Sequence, residues 1–331
     1  MKDGTLAAHL QAFFTDRLLE QRHASSHTVA AYRDCFRLLL RFAAQRLHKA
    51  PSKLALGDLN ASFITDFLHH LESERGNGAR TRNVRLAAIH SFFRFAALSE
   101  PAHALLCQRV LAIPNKRHDR ALVTYLDHEE VEALVSAPDT STWIGRRDHV
   151  LLLVAVQTGL RVSELRSLRW EDVELDAGAH VRCTGKGRKQ RCTPLREDSV
   201  AALRAWHRET GAPPGIPVFP STRGGTLSRD AIERLVAKHT QAAAQHCPSL
   251  KRKNVTPHTL RHSAAMSLLQ RGVDRTVIAL WLGHESVETT QIYLHADVRL
   301  KERALARTDA FATKAGRFRP SDQLLAFLEA L

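Results

Sequence analysis

The sequence predicts a mainly helical protein in two parts. A four-helix module spans residues 1–110, a linker follows at 111–123, and an α+β domain with one small β-hairpin sheet covers 124–331. Three observations carry this reading. At 331 residues the chain is about twice the ~150 residues of an ordinary domain. Apolar residues recur at helical spacing through the first hundred positions and again after residue 195. Between 171 and 195 the periodicity shortens to strands split by a glycine-flanked turn.

Leu6, Leu10, Phe13, Phe14 and Leu18 form one apolar stripe and predict the first helix. Ser25 or Ser26 can accept backbone N–H groups to open a second, which carries Val29, Tyr32, Phe36, Leu39 and Leu40. Pro51 and Gly57 interrupt the pattern, and Asn60 caps a third helix through Phe63, Phe67 and Leu71. A turn at Gly76 and Gly78 leads into a long fourth helix through Val84, Ile89, Phe92, Phe93 and Phe95. Arg80, Arg82 and Arg85 gather near its start, a placement that suits phosphate groups and equally a solvated face. From Arg109 to Thr124 the periodicity lapses, and Pro114, Lys116, Arg117, Asp119 and Arg120 mark a basic linker.

The second part opens with Asp127 and Glu130 in capping-box spacing before Val131, Leu134 and Val135. A buried helix runs through Val150 to Val156 and stops at Gly159, so Arg161 stands at a helix junction in GLRVSEL with Glu164 as its structural partner. The strands are DVEL, HVRCT and QRCTP; the turn GKGRK between the last two holds Lys186, Arg188 and Lys189. Cys183 and Cys192 flank that turn and are expected to face each other across it as free thiols. Helices follow at Asp198–Glu209 and Arg229–Gln245. In TPHTLRHSAAMSLLQ, His258 and Arg261 lie three apart on one face near a helix start, where an anion is well placed. Gly272 ends that helix, Asp274 caps the next, and Gly283 stops it just before His284. Tyr293 follows on a short polar helix. The tail carries a mixed-charge helix at Val298–Arg307, a break at Gly316 and Pro320, and then SDQLLAFLEAL. Its apolar face is wide, and so short a helix needs a groove to dock in.

Composition narrows the class. The formal net charge of +14 points to a polyanionic partner, and both parts are basic. Five scattered cysteines without CxxC spacing argue against a disulfide framework or a zinc site and suggest a reducing compartment. His258 and His262 have the i, i+4 spacing of a zinc helix, but Thr259 stands where that helix needs glutamate, so no metal and no cofactor is expected. The N-terminus lacks the apolar core of a signal peptide. The longest aliphatic run, Val150 to Val156, is far short of the ~20 residues that cross a bilayer, and a cytoplasmic protein is expected.

Three strings, TGLRVSEL, HTLRHS and LGHESVETTQIY, resemble in order and spacing the signature boxes of the tyrosine recombinases, the phage-integrase family that includes the Xer proteins. The resemblance is close over roughly residues 124 to 310 and holds only by pattern before that. It implies a SAM-like core-binding domain followed by a tyrosine recombinase catalytic domain, and a site-specific recombinase that cleaves and rejoins DNA through a 3′-phosphotyrosyl intermediate. The implied catalytic set is Arg161, Lys186, His258, Arg261, His284 and Tyr293. The implied partners are double-stranded DNA sites and further copies of the chain, in a tetrameric synapse with the tail helix docked in trans. DNA contacts are expected from Arg80, Arg82, Arg85, Lys116, Arg117, Arg188 and Lys189.

The chemistry fits those residue types. A tyrosine oxygen, with reference pKa ~10, makes a bond that is far easier to reverse than an alkyl ester, so no ATP is needed. Arg161 and Arg261 can fork onto the nonbridging phosphoryl oxygens, as metal ions do in many nucleases. Lys186 and His258 are left for proton transfer, with either order open, and His284 for orienting the phosphate. Two other readings stand beside this one, a type IB topoisomerase-like enzyme and a sequence-specific DNA-binding accessory protein with an unused site. The short helical N-terminal module and LGHESVETTQIY favour the recombinase. The immediate entry into core-binding helices favours one acting on short paired sites.

Overall fold

A computed structural model describes residues 5–118, 123–185, 190–283, 287–290 and 293. The chain divides into two compact units, residues 1–120 and 121–331. Lys186, Arg188, Lys189, His284 and the tail helices at 298–331 lie outside the described residues.

In the first unit, short polar side chains start the helices where the sequence places them. Thr5 accepts from Ala8 N–H to open α1 (Leu6–Ala12). The helix then widens to a π turn over Phe13–Gln21, which turns Phe13 and Leu18 inward. Ser25 caps α2 (Ser26–Leu47) by accepting from Thr28 N–H, and Asn60 caps α3 (Ala61–Ser73) by accepting from Phe63 N–H. Gly78 leads into α4 (Ala79–Ser99). A further helix, α5 (Ala104–Leu111), was not legible in the sequence; it adds Cys107 and Val110 to the core. Phe13, Phe36 and Phe92 meet edge to face at 5.3–6.2 Å and tie the π turn after α1 to α2 and α4.

The start of the expected linker is fastened to this unit. Pro114 carbonyl accepts from Arg82 Nη1 at 2.8 Å. Asn83 and Lys116 exchange two hydrogen bonds, and Lys116 Nζ reaches Glu72 at 2.8 Å.

The second unit opens on a capping box: Asp127 accepts from Glu130 N–H and Glu130 from Asp127 N–H, starting α6 (His128–Ser136). Helix α7 (Trp143–Thr158) runs through the core with Leu151, Leu152 and Val154 fully buried. After α8 (Val162–Ser167) come three antiparallel strands in the order β1-β2-β3, at Val173–Glu174, His180–Thr184 and Gln190–Pro194. The register pairs Cys183 with Arg191 and Cys192 with Arg182. Cys183 is buried and Cys192 exposed, so the two thiols do not face each other as expected; they point to opposite faces, because side chains alternate along a strand.

Helix α9 (Glu197–Thr210) packs on α7 and α10 (Arg229–Ala243) on α6 and α8, and Trp206 Nε1 donates to Val218 carbonyl at 2.7 Å to pin the intervening loop. Beside them lies a buried ion cluster. Arg147 donates to Asp148 at 2.7 and 3.0 Å and to Pro220 carbonyl, while His239 Nε2 meets the other Asp148 oxygen at 2.9 Å. Pro257 and the Thr256 cap open α11 (Pro257–Gln270), and Asp274 caps α12 (Arg275–Leu282). Ala265, Met266, Leu269, Ile278 and Leu282 from these two helices pack round Tyr293. Among the described residues no helix is long and apolar enough to cross a membrane.

Candidate active site

Two left-handed glycines deliver the site. Gly159 ends α7 at φ +63°, a conformation that favours glycine, and a Cβ there would press on the Leu282 side chain at 2.7 Å, where α12 meets the α7–α8 junction. Gly283 ends α12 at φ +64°, and a Cβ there would lie 2.8 Å from the Arg191 guanidinium. Arg161 follows the first turn and caps α8, with its own N–H donating to Glu164 Oε2 at 2.7 Å.

Three guanidiniums converge on one carboxylate and one helix end. Arg161 Nη1 donates to Glu164 Oε1 at 2.9 Å, and Arg191 forks onto both Glu164 oxygens at 2.9 and 2.8 Å. The last carbonyls of α12, which no helical N–H can reach, are divided among the arginines. Arg191 Nε donates to Trp281 carbonyl at 3.1 Å, Arg261 Nη2 to Leu282 carbonyl at 2.7 Å, and Arg161 Nη2 to Gly283 carbonyl at 2.9 Å. Arg261 Nη1 also takes Gly159 carbonyl at 2.7 Å. The partial negative charge of a helix C-terminus suits this arrangement.

Glu164 is 4% exposed and Arg261 3%. Burial alone would raise the Glu164 carboxyl, but the Arg191 hydrogen bonds, the Arg161 N–H and both nearby positive charges hold it below its ordinary value. The Arg191 guanidinium is held above its ordinary value, its pairing with Glu164 outweighing burial. Arg261 is pulled down to about 10 by burial and then by the like charge of Arg161. The cluster therefore carries more positive charge than its own carboxylate can balance.

Tyr293 is 1% exposed. Burial pushes its phenol above the ordinary value, against the opposing pull of Arg261 and then Arg161. Its hydroxyl lies 3.1 Å from His262 Nδ1, and the His262 ring meets the exposed His258 edge to face, centroids 4.3 Å apart. Among the described residues no group of three His, Cys, Asp or Glu is arranged to hold a metal ion.

The structure thus brings together Arg161, Arg261 and Tyr293, with His258 on the turn of α11 preceding Arg261. Sequence reasoning missed Arg191 and weighed His262 only as a metal ligand. A signal existed for Arg191: it alternates with the buried Thr193 and pairs with the buried Cys183, which places a charge on the inner face of a strand. The expected DNA contacts of the first unit scatter. Arg80 is exposed, Arg82 is 5% exposed and holds Pro114, Arg85 Nη1 donates to Ala31 carbonyl at 3.1 Å, Lys116 pairs with Glu72, and Arg117 is exposed.

Comparison with known proteins identifies the family. Residues 124–299 match the model of the phage integrase family, and residues 12–100 match the N-terminal SAM-like domain of phage integrases. A Sinorhizobium fredii protein described as an integrase/recombinase is 54% identical over 330 residues, covering 100% of this chain and 99% of its own. The tyrosine recombinase XerC of Xanthomonas axonopodis pv. citri is 34% identical over 293 residues, covering 86% and 91%. The solved XerH site-specific recombinase, in a post-cleavage complex with its palindromic difH substrate, shares the fold with a TM-score of 0.70 at 23% identity, over 86% of this chain and 81% of that one.

Proposed function

The chain belongs to the phage integrase family of tyrosine recombinases, and from that premise we propose that it is a site-specific DNA recombinase with Tyr293 as its nucleophile. Residues 1–110 act as the core-binding domain, 111–123 as the linker and 124–331 as the catalytic domain. The observation that carries the reading is the unbalanced arginine cluster beside the Tyr293 phenol: Arg161 and Arg261, tied to adjacent carbonyls at one helix end, hold a surplus of positive charge that an anion would neutralise.

A phosphodiester of duplex DNA fills that role. Arg161 and Arg261 stabilise the charge that grows on its nonbridging oxygens. Tyr293 attacks phosphorus, the bond to the 5′ oxygen breaks, and the energy is kept in a 3′-phosphotyrosyl bond. Lys186 and His258 serve proton transfer and His284 orients the phosphate, by resemblance to the family. Exchange between paired sites needs a tetramer, in which the tail helix of one copy docks on the next; a head-to-tail contact of that kind can close a ring. A groove of about 400 Å³ lined in part by Val131, Val135, Leu153, Val156 and Leu268 offers the apolar surface such a helix needs. The protein works in the cytoplasm, where its DNA lies.

The test is Tyr293→Phe on a nicked suicide substrate resolved on a denaturing gel. The variant is expected to bind DNA as the wild type does and to form no covalent adduct. An adduct formed by the variant would overturn the assignment.

A further inference from the structure

We propose that His262, not previously counted in the catalytic set, is the base that takes the Tyr293 proton during strand cleavage and returns it on rejoining. The inference rests on Tyr293 being the nucleophile and adds the group that activates it.

The hydroxyl of Tyr293 meets the His262 ring at Nδ1, at 3.1 Å, within hydrogen-bond reach of the proton that must leave. With its proton on Nε2, His262 is the acceptor of that bond. The placement is enforced from both sides. His262 follows Arg261 directly on α11, and Arg261 is tied to Gly159 and Leu282 carbonyls, which holds this turn of the helix beside Tyr293. Tyr293 is buried against Ala265, Met266 and Leu269 of the same helix and Ile278 and Leu282 of α12.

A base is needed there. Burial makes the phenol harder to ionise than a free tyrosine, and the attraction of Arg261 and Arg161 does not fully offset it. Imidazole is well suited to accept a proton near neutral pH. His258, exposed and in edge-to-face contact with His262, lies on the side of the pair that meets solvent.

The step balances. The Tyr293 O–H bond breaks as the P–O bond to Tyr293 forms, and the proton moves to His262 Nδ1. The bond from phosphorus to the 5′ oxygen breaks with its electron pair, and that oxygen takes a proton from a different group, Lys186 or His258. On rejoining, the 5′ hydroxyl attacks, the phosphotyrosyl bond breaks, and His262 protonates the departing phenolate.

The test compares His262→Asn, His262→Ala and Tyr293→Phe in the full-length protein, in single-turnover cleavage of two suicide substrates. One carries the ordinary 5′ oxygen at the scissile position and the other a bridging 5′ sulfur. A thiol of pKa ~8.5 leaves as thiolate, so the sulfur substrate needs a base but no acid. Asparagine keeps a hydrogen-bonding atom where Nδ1 stands but accepts no proton. We expect both His262 variants to bind DNA normally and to cleave both substrates ~10²–10⁴-fold more slowly, the usual contribution of a general base. Wild-type rates in His262→Asn would overturn the proposal and reduce His262 to a hydrogen-bonding support. Rescue by the sulfur substrate would overturn it too, assigning His262 to the leaving group. If His262→Ala unfolds, the Asn variant decides, with circular dichroism as the check on folding. An adduct in Tyr293→Phe would overturn the nucleophile itself; loss of the adduct there with His262→Asn intact would overturn only the base.

Discussion

Two buried ion clusters in the second unit use the same residue types and differ in balance. Around Asp148, one arginine and one histidine meet one carboxylate, and Arg147 spends its remaining reach on Pro220 carbonyl. Around Glu164, Arg161 and Arg191 pair with one carboxylate, while Arg261 beside them reaches only backbone carbonyls. The first sets one guanidinium against one carboxylate and fastens α7 to α10 and the loop before it. The second has surplus positive charge, and Arg261 is depressed by burial first and then by the like charge of Arg161. Counting charges about each buried carboxylate therefore separates a structural cluster from one built to receive an anion.

The comparison predicts its largest effect at the balanced cluster. Asp148→Asn leaves Arg147 buried without a counter-charge, and losing one partner of a buried pair costs ~3–5 kcal/mol. Denaturant unfolding is expected to show a loss of that order, while the cleavage rate per folded molecule stays within about twofold. If Asp148→Asn instead silences cleavage in a protein of normal stability, the division into structural and catalytic clusters breaks.

The next effect belongs to Arg191, which touches no substrate in this reading and acts by positioning Glu164 and the end of α12. Arg191→Ala frees both, and a misplacement of about an ångström in the groups they hold can cost ~10²-fold in rate. Single-turnover cleavage is expected to fall ~10–100-fold with DNA affinity little changed. Arg191→Lys is expected not to restore it, since an ammonium cannot fork onto two carboxylate oxygens. Full rescue by lysine would mean that charge alone matters there.

Arg191 also marks where sequence reading stopped. Features set within a few residues were legible: the caps at Ser25, Asn60, Asp127 and Asp274, the stops at Gly159 and Gly283, the hairpin, and Glu164 three residues after Arg161. Contacts closed across long loops were not. Arg191 meets Glu164 from 27 residues away and Trp281 from 90, and His262 meets Tyr293 from 31. Arg82 looked like a surface charge because helical charges usually are; Pro114 carbonyl, 32 residues on, supplies the partner that lets it be buried. Cys183 and Cys192 looked opposed because both flank the turn, yet their spacing puts them one residue out of register and on opposite faces.

The smallest effect separates charge pairing from packing at Glu164. Its carboxyl is held below the ordinary value, ~4.3 for glutamate. A group whose pKa is depressed by folding contributes stability above the unfolded value and loses it as pH falls through the folded one. Glutamine has nearly the shape of protonated glutamate and no charge. Unfolding free energies of wild type and Glu164→Gln are therefore expected to differ most near neutral pH and to converge in acid, as the wild-type carboxyl takes up its proton. The gap should be smaller than the Asp148→Asn loss, because the Arg161 side chain is 31% exposed and screened by water, whereas that of Arg147 is 8% exposed. A gap that stays constant from neutral pH into acid would mean that Glu164 stabilises the unit by its shape and hydrogen bonds, and that the arginine surplus needs no carboxylate to hold it in place.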